Sequence, residues 1–414
     1  MRRTLAVLAS LAIAASVLVV ASPASADSIR DRQYWLNQYG ISSAWNTTRG
    51  AGVTVAVIDT GIDGSHPDLT GQVVGGTDVS GVGSANGQTP VGSSSEHGTM
   101  VASLLAGHGH GDGAGVIGVA PEAKLLAISM GFGAGTVSSD DQIATAVRWA
   151  VDNGADVINM SLTRNTLEWP ESWDDAFLYA MKHDVVIVAA AGNRGSGTTQ
   201  VGAPATMPGV LTVAGVDRNG NASFDASSQG ITISVAAPSE ELVGALPGGG
   251  YAQWNGTSGA TPLVAGLVAL VRSAHPELDA GNVINRITAT ATQVGDEAVS
   301  PIYGHGRINA AAAVTANVPA VADSPAAQLE EWIRVYRRAD SVPTEAPSET
   351  PTPEPAPVMP PIAGPQNPLG MLLPTVDSLR NVGVPLLVYV SFAGLLAAAA
   401  TAAFRSFRGV RDKR

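Results

Sequence analysis

Between residues 53 and 236 the chain repeats one pattern, and that pattern leaves few folds open. Short apolar runs alternate with stretches of helical spacing. The run at 53–58 is almost continuously apolar, which marks a strand buried on both faces. Comparable runs stand at 123–129, 156–162, 185–190, 210–216 and 231–236. Between them, 97–106, 140–153 and 174–183 read as helices, the second ending near Gly154. A later segment, 263–274, is rich in small residues and reads as a buried helix. Strand and helix in alternation predict an α/β domain with a mainly parallel central sheet and helices on both faces. Ligands in such sheets bind beyond the carboxyl ends of the strands. Asp59 falls at such an end, and Asn193 follows another.

The flanks read differently. Residues 1–26 have a basic start, an apolar centre and an Ala24-Ser25-Ala26 cleavage signal, so they are expected to be a secretory signal peptide. Residues 27–50 carry Tyr34, Trp35, Tyr39 and Trp45 and read as an arm packing on the main domain, too short for a large, independent pro-domain. The main domain is expected over 51–318. Residues 319–381 hold a short helix, at 326–339, and then a proline-rich spacer. Residues 382–404 are uncharged and long enough for one transmembrane helix, and 405–414 form a basic tail. That charge bias predicts a single-pass protein of the cell membrane, with its tail cytoplasmic and its main domain extracellular. Leu373-Pro374-Thr375-Val376-Asp377 lacks the pattern of a cell-wall sorting signal. The absence of cysteine excludes disulfides and a thiol nucleophile, and the net charge of -12 argues against nucleic acid as a partner.

The chemistry converges on Asn255-Gly256-Thr257-Ser258-Gly259-Ala260-Thr261-Pro262. A serine at a helix start can present its hydroxyl beside backbone N–H groups that stabilise negative charge. Serine is a weak nucleophile alone and needs a base with an orienting carboxylate. His97, in Glu96-His97-Gly98-Thr99, and Asp59, in Val57-Ile58-Asp59-Thr60-Gly61, supply the residue types. Taken singly, Asp59 reads as a strand-end turn, His97 as a helix-start surface residue and Asn193 as a turn residue. His108-Gly109-His110-Gly111-Asp112 reads as a mobile glycine loop rather than a metal site. Asp63, His66 and Asp68 read as a structural turn.

Order and wording together resemble the subtilisin family of serine proteases over roughly residues 30–315. The order Asp, His, Ser is that family's. Val57-Ile58-Asp59-Thr60-Gly61, His97-Gly98-Thr99, Gly256-Thr257-Ser258 with Pro262, Ala190-Ala191-Gly192-Asn193 and Ile158-Asn159-Met160-Ser161-Leu162 are similar to its motifs. The resemblance implies a catalytic domain over 51–318 in which Ser258 is the nucleophile, His97 the base and acid, Asp59 the orienter and Asn193 an oxyanion donor. It implies that the loop Ser129-Met130-Gly131-Phe132-Gly133, with Ser161 and Leu162, flanks an extended peptide, while Ala190, Ala191 and Gly192 line the pocket before the scissile bond. Substrates would be proteins or peptides. No cofactor or catalytic metal is implied; structural calcium is common in the family, and its ligands are left unassigned.

Two departures stand out. The family usually has a bulky residue after the serine, where this chain has Gly259, which could loosen the serine turn. Thr163 replaces a common glycine and could narrow the pocket. Signal, aromatic arm, protease domain, spacer, span and basic tail together resemble the mycosins, which implies association with a type VII secretion membrane complex. Mycosins usually carry cysteines, and this chain has none. An alternative reading is a mainly structural subunit of such a complex, with dispensable proteolysis.

Overall fold

The structure is a computed structural model and describes residues 28–133 and 137–337. Seven strands form one sheet: β1 (Thr54–Asp59), β2 (Val73–Asp78), β3 (Lys124–Ser129), β4 (Val157–Met160), β5 (Val186–Ala190), β6 (Leu211–Val216) and β7 (Ile233–Pro238). Their order is β2-β3-β1-β4-β5-β6-β7, and every pairing is parallel. Five of the six inner and adjoining runs expected from the sequence are almost wholly buried here, because helices cover both faces. The chain leaves β1 toward β2 and β3 on one side and returns to β4 on the other. The carboxyl ends of β1 and β4 therefore border the switch point at which such sheets bind ligands.

The arm supplies two one-turn helices, α1 (Trp35–Gln38) and α2 (Ile41–Ala44). It belongs to the core: Trp35, Ile41 and Ala44 are fully buried in the main apolar cluster. Gln33 exchanges two hydrogen bonds with the Ile117 backbone, at 2.8 and 2.9 Å.

Helices α3 (His97–Ala106), α4 (Ser139–Asp152), α5 (Glu171–Lys182) and α6 (Thr257–Ala274) follow. α3 and α6 pack together on one face of the sheet, α4 and α5 on the other. α4 starts where Ser138 accepts from the Asp141 N–H, a capping bond that satisfies one free donor of the first turn. α6 is buried along nearly its whole length, as its small-residue composition requires. β8 (Leu242–Ala245) and β9 (Tyr251–Trp254) form an antiparallel hairpin just before α6. α7 (Ala280–Ala289), α8 (Ala310–Thr315) and α9 (Pro325–Tyr336) close the domain. No helix among the described residues is long and apolar enough to cross a membrane. The expected signal peptide, spacer, span and tail lie outside the described residues.

Candidate active site

Asp59 is the last residue of β1 and is 1% exposed. A buried carboxylate needs partners. Its Oδ1 accepts from the Thr60 N–H at 2.7 Å, and His97 Nδ1 stands 2.8 and 3.0 Å from the two oxygens. His97 opens α3, and Thr60 ties that helix start to β1. The Thr60 hydroxyl donates to Ser95 O at 3.1 Å and accepts from the Gly98 N–H at 2.9 Å. Burial pushes the His97 pKa down, but the charge and hydrogen bond of Asp59, helped by Glu96, outweigh it. The imidazole is held above its ordinary range. Its Nδ1 faces the carboxylate, so Nε2 is the ring atom left for chemistry.

Ser258 is the second residue of α6. Pro262, inside that helix, has no N–H to give the Ser258 carbonyl. Ser161, just beyond β4, fills the gap: its hydroxyl donates to Ser258 O at 2.8 Å and accepts from Asn159 Nδ2 at 3.1 Å. In return the Ser258 hydroxyl donates to Ser161 O at 3.0 Å. In this geometry it bonds to that carbonyl rather than to His97.

Asn193 sits one turn of chain beyond β5. Its Oδ1 accepts from the Thr257 N–H at 2.8 Å and from the Thr257 hydroxyl at 2.9 Å. Both partners donate, which assigns the oxygen to that side and turns the amide Nδ2 the other way. Nδ2 stands 3.2 Å from where a Cβ on Gly256 would be, and Gly256 has φ +140°. Glycine there keeps the amide unobstructed. Thr257, part of the serine motif but without a role in the sequence reading, is thus the residue that aims Asn193.

The cleft beside His97 is a cavity of about 250 Å³ lined by Thr60, Val91, Phe132, Ser161, Leu162 and Thr163, among others. Ser161 and Leu162 border it. Ser129 and Met130 do not: both are fully buried, and the Ser129 hydroxyl donates to Asp78 at 2.7 Å. The Gly131 N–H is taken by Gln142 Oε1 at 2.8 Å. Phe132 and Gly133, the rest of that loop, are exposed. Ala190 and Ala191 are buried, and Gly192 lies between the Thr198, Ser228 and Thr163 side chains.

The 108–117 segment is held in place rather than loose. Bridges pair His108 with Ile117 and Gly111 with Ala114, and His110 Nδ1 stands 2.6 Å from buried Asp68. Arg30 of the arm donates to Ala114 O and Gly115 O, each at 3.0 Å. Among the described residues no group of three or more His, Asp or Glu converges to hold a metal ion. A larger groove, about 860 Å³ and lined by Trp169, Ile231, Trp332 and Tyr336, lies away from His97 and Ser258.

Residues 50–306 match the family described as Subtilase family, Peptidase_S8. The chain belongs to the subtilase family. It is a subtilisin-family serine endopeptidase. Subtilisin DY of Bacillus licheniformis is 41% identical over 272 residues, covering 64% of this subtilase and 92% of the relative. Among solved structures, MycP1 from Mycobacterium smegmatis is similar with a TM-score of 0.59 and 31% identity, over 72% of this chain and 87% of that one. The MycP3 protease from the type VII (ESX-3) secretion system is similar with a TM-score of 0.59 and 34% identity, over 69% and 88%.

Proposed function

We propose that this subtilase hydrolyses peptide bonds through an acyl-enzyme on Ser258, as an extracellular enzyme anchored in the cell membrane. The observation that carries the reading is the Asp59–His97 pair, which fixes the imidazole tautomer and opens onto a cleft lined by Ser161, the residue whose carbonyl accepts from the Ser258 hydroxyl. A rotation about the Ser258 side chain takes its hydroxyl from Ser161 O toward His97 Nε2. Oγ then attacks the substrate carbonyl carbon as His97 takes the proton. His97 returns that proton to the leaving amine, the C–N bond breaks, and water hydrolyses the ester by the same steps. Asn193 Nδ2 and the Ser258 N–H, a first-turn donor with no helical acceptor, receive the oxyanion. An extended peptide would run along Ser161 and Leu162 with an apolar side chain against Val91 and Phe132. Ala190, Ala191 and Gly192 would wall the neighbouring pocket, narrowed by Thr163.

Residues 1–26, 382–404 and 405–414 support export, a single span and a cytoplasmic tail. Likeness to MycP1 and MycP3 supports association with a type VII secretion membrane complex. The test is labelling by a fluorophosphonate probe, with a Ser258→Ala twin. Labelling of the parent alone is expected; labelling of neither would overturn the enzyme reading. The engaged Ser258 hydroxyl favours a second reading, a complex subunit whose proteolysis is dispensable. Full rescue of secretion by Ser258→Ala in a deletion strain would establish it.

A further inference from the structure

Gly259 was expected to loosen the serine turn, and the structure shows instead what occupies the space. A Cβ built on Gly259 would lie 2.4 Å from Leu242 Cδ1 and 3.3 and 3.5 Å from two ring carbons of Trp254. These two residues pair across the β8–β9 hairpin. The same indole meets His97 edge to face, with ring centroids 5.5 Å apart and planes at 77°. Edge-to-face contact of this kind is attractive beyond simple burial.

The hairpin is tied to the elements that carry the site. The Ala245 N–H donates to Ser103 Oγ of α3 at 3.0 Å, and the Tyr251 hydroxyl donates to Asp68 at 2.9 Å. Trp254 itself runs directly into Asn255-Gly256-Thr257-Ser258. Among the described residues its Nε1 is buried and has no hydrogen-bond partner. An orphaned buried N–H is costly, so packing rather than a hydrogen bond decides where this ring sits.

We infer that Trp254 is a positioning residue: with Leu242, which comes nearest, its indole closes the space beside Gly259, and from there it holds the His97 ring against Asp59. Gly259 and Trp254 are then one exchange of bulk between two positions rather than two separate oddities. The inference rests on the reading of His97 as the base, and its test separates the two.

Two measurements decide it. The first needs no turnover. In full-length Ser258→Ala protein with isotope-labelled histidine, NMR follows the His97 ring titration with and without Trp254→Ala. Burial opposes the imidazolium, while Asp59 and Glu96 favour it. A ring released from Asp59 loses the pairing that favours the imidazolium, so the midpoint should fall; a rise would report lost burial alone and overturn the inference. The second is a double-mutant cycle on kcat/KM in the parent. Trp254→Ala should lower it about 10- to 100-fold, mostly in kcat, because the base loses its position. Trp254→Phe, which keeps a ring, should lose only about threefold. Gly259→Leu alone should be damaging, and added to Leu242→Ala with Trp254→Ala, which clears both side chains it would meet, it should regain about tenfold over that pair. An unmoved His97 midpoint, or strictly additive losses in the cycle, would overturn the inference. A parent that binds no fluorophosphonate would sink the catalytic reading alone, and the NMR midpoint would still decide the role of Trp254.

Discussion

Trp35→Ala should show that the arm is part of the folded domain rather than a dispensable leader. Trp35 is fully buried, among the largest side chains so enclosed, and Leu36, Tyr39 and Ile41 share its cluster. Deleting a buried tryptophan to alanine usually costs about 3–5 kcal/mol. Here one correction applies. Trp35 Nε1 is buried with no partner among the described residues, and removing such an N–H returns about 1–3 kcal/mol. The loss should therefore fall below that range, about 2 kcal/mol. A domain of this size moves by about 2 °C per kcal/mol, so the melting midpoint should fall by roughly 4 °C. Trp35→Phe discards the same orphaned N–H but keeps one ring, and should stay within about 1 kcal/mol of the parent. Thermal unfolding followed by circular dichroism measures both, with limited proteolysis reporting release of the arm. If Trp35→Ala melts within 2 °C of the parent by that roughly linear scale, the arm peels off without cost and the argument fails. If Phe falls as far as Ala, the orphaned N–H was never a penalty.

The other expectations concern the site. Asn193→Ala should lower kcat by about 10²–10³ with KM little changed, as loss of one oxyanion donor does in subtilisin, a relative from which that magnitude is borrowed; steady-state kinetics on a peptide substrate reads it. Gly256→Ala should lose activity similarly while Tm drops by a few degrees, because its Cβ would meet Asn193 Nδ2 and a side chain at φ +140° costs about 1–3 kcal/mol. His97 is held above its ordinary value in the fold, so the stability it contributes is complete below the unfolded pKa and is lost as pH rises through the folded one. Activity needs the neutral ring, so kcat/KM should climb through that same window, with a midpoint above about 6.5; a midpoint below it would contradict the Asp59 pairing. Asp78 has the opposite sign. Burial raises its pKa, but the Ser80 and Ser129 hydroxyls and the Ser80 and Gly83 N–H groups outweigh this, and the carboxyl is held low. Its contribution should be present above the usual carboxylate range and vanish in acid, so Asp78→Asn should flatten the acid limb of a Tm-versus-pH curve.

What could be read from the chain is what local patterning controls. The helix expected at 97–106 is the one observed, His97–Ala106; β1 is shifted by one residue, and β3, β5 and β6 start one residue later than expected. Continuous apolar runs identify strands buried on both faces, and only such strands. β2 escaped because it is an edge strand, half-exposed throughout, with Gly75 and Gly76 interrupting any apolar run. β8 and β9 escaped because four residues each are too few to show a period. Ser129 and Met130 stand back from the cleft for a related reason. Ser129 ends a buried strand with its hydroxyl claimed by Asp78, 51 residues away, and Met130 is buried beside it, so the exposed part of that loop begins at Phe132.

The same limit explains Gly259. A motif reports the side chains beside the nucleophile in sequence, whereas the support of a catalytic histidine depends on volume in three dimensions. That volume can come from any strand that reaches the spot. Here it comes from a hairpin whose tip end is pinned to α3, Asp68 and Asp63. A small residue after the serine therefore does not imply a loose turn. It implies that something bulky must stand nearby, and the large side chain immediately preceding Asn255-Gly256-Thr257-Ser258 is the place where that compensation is found.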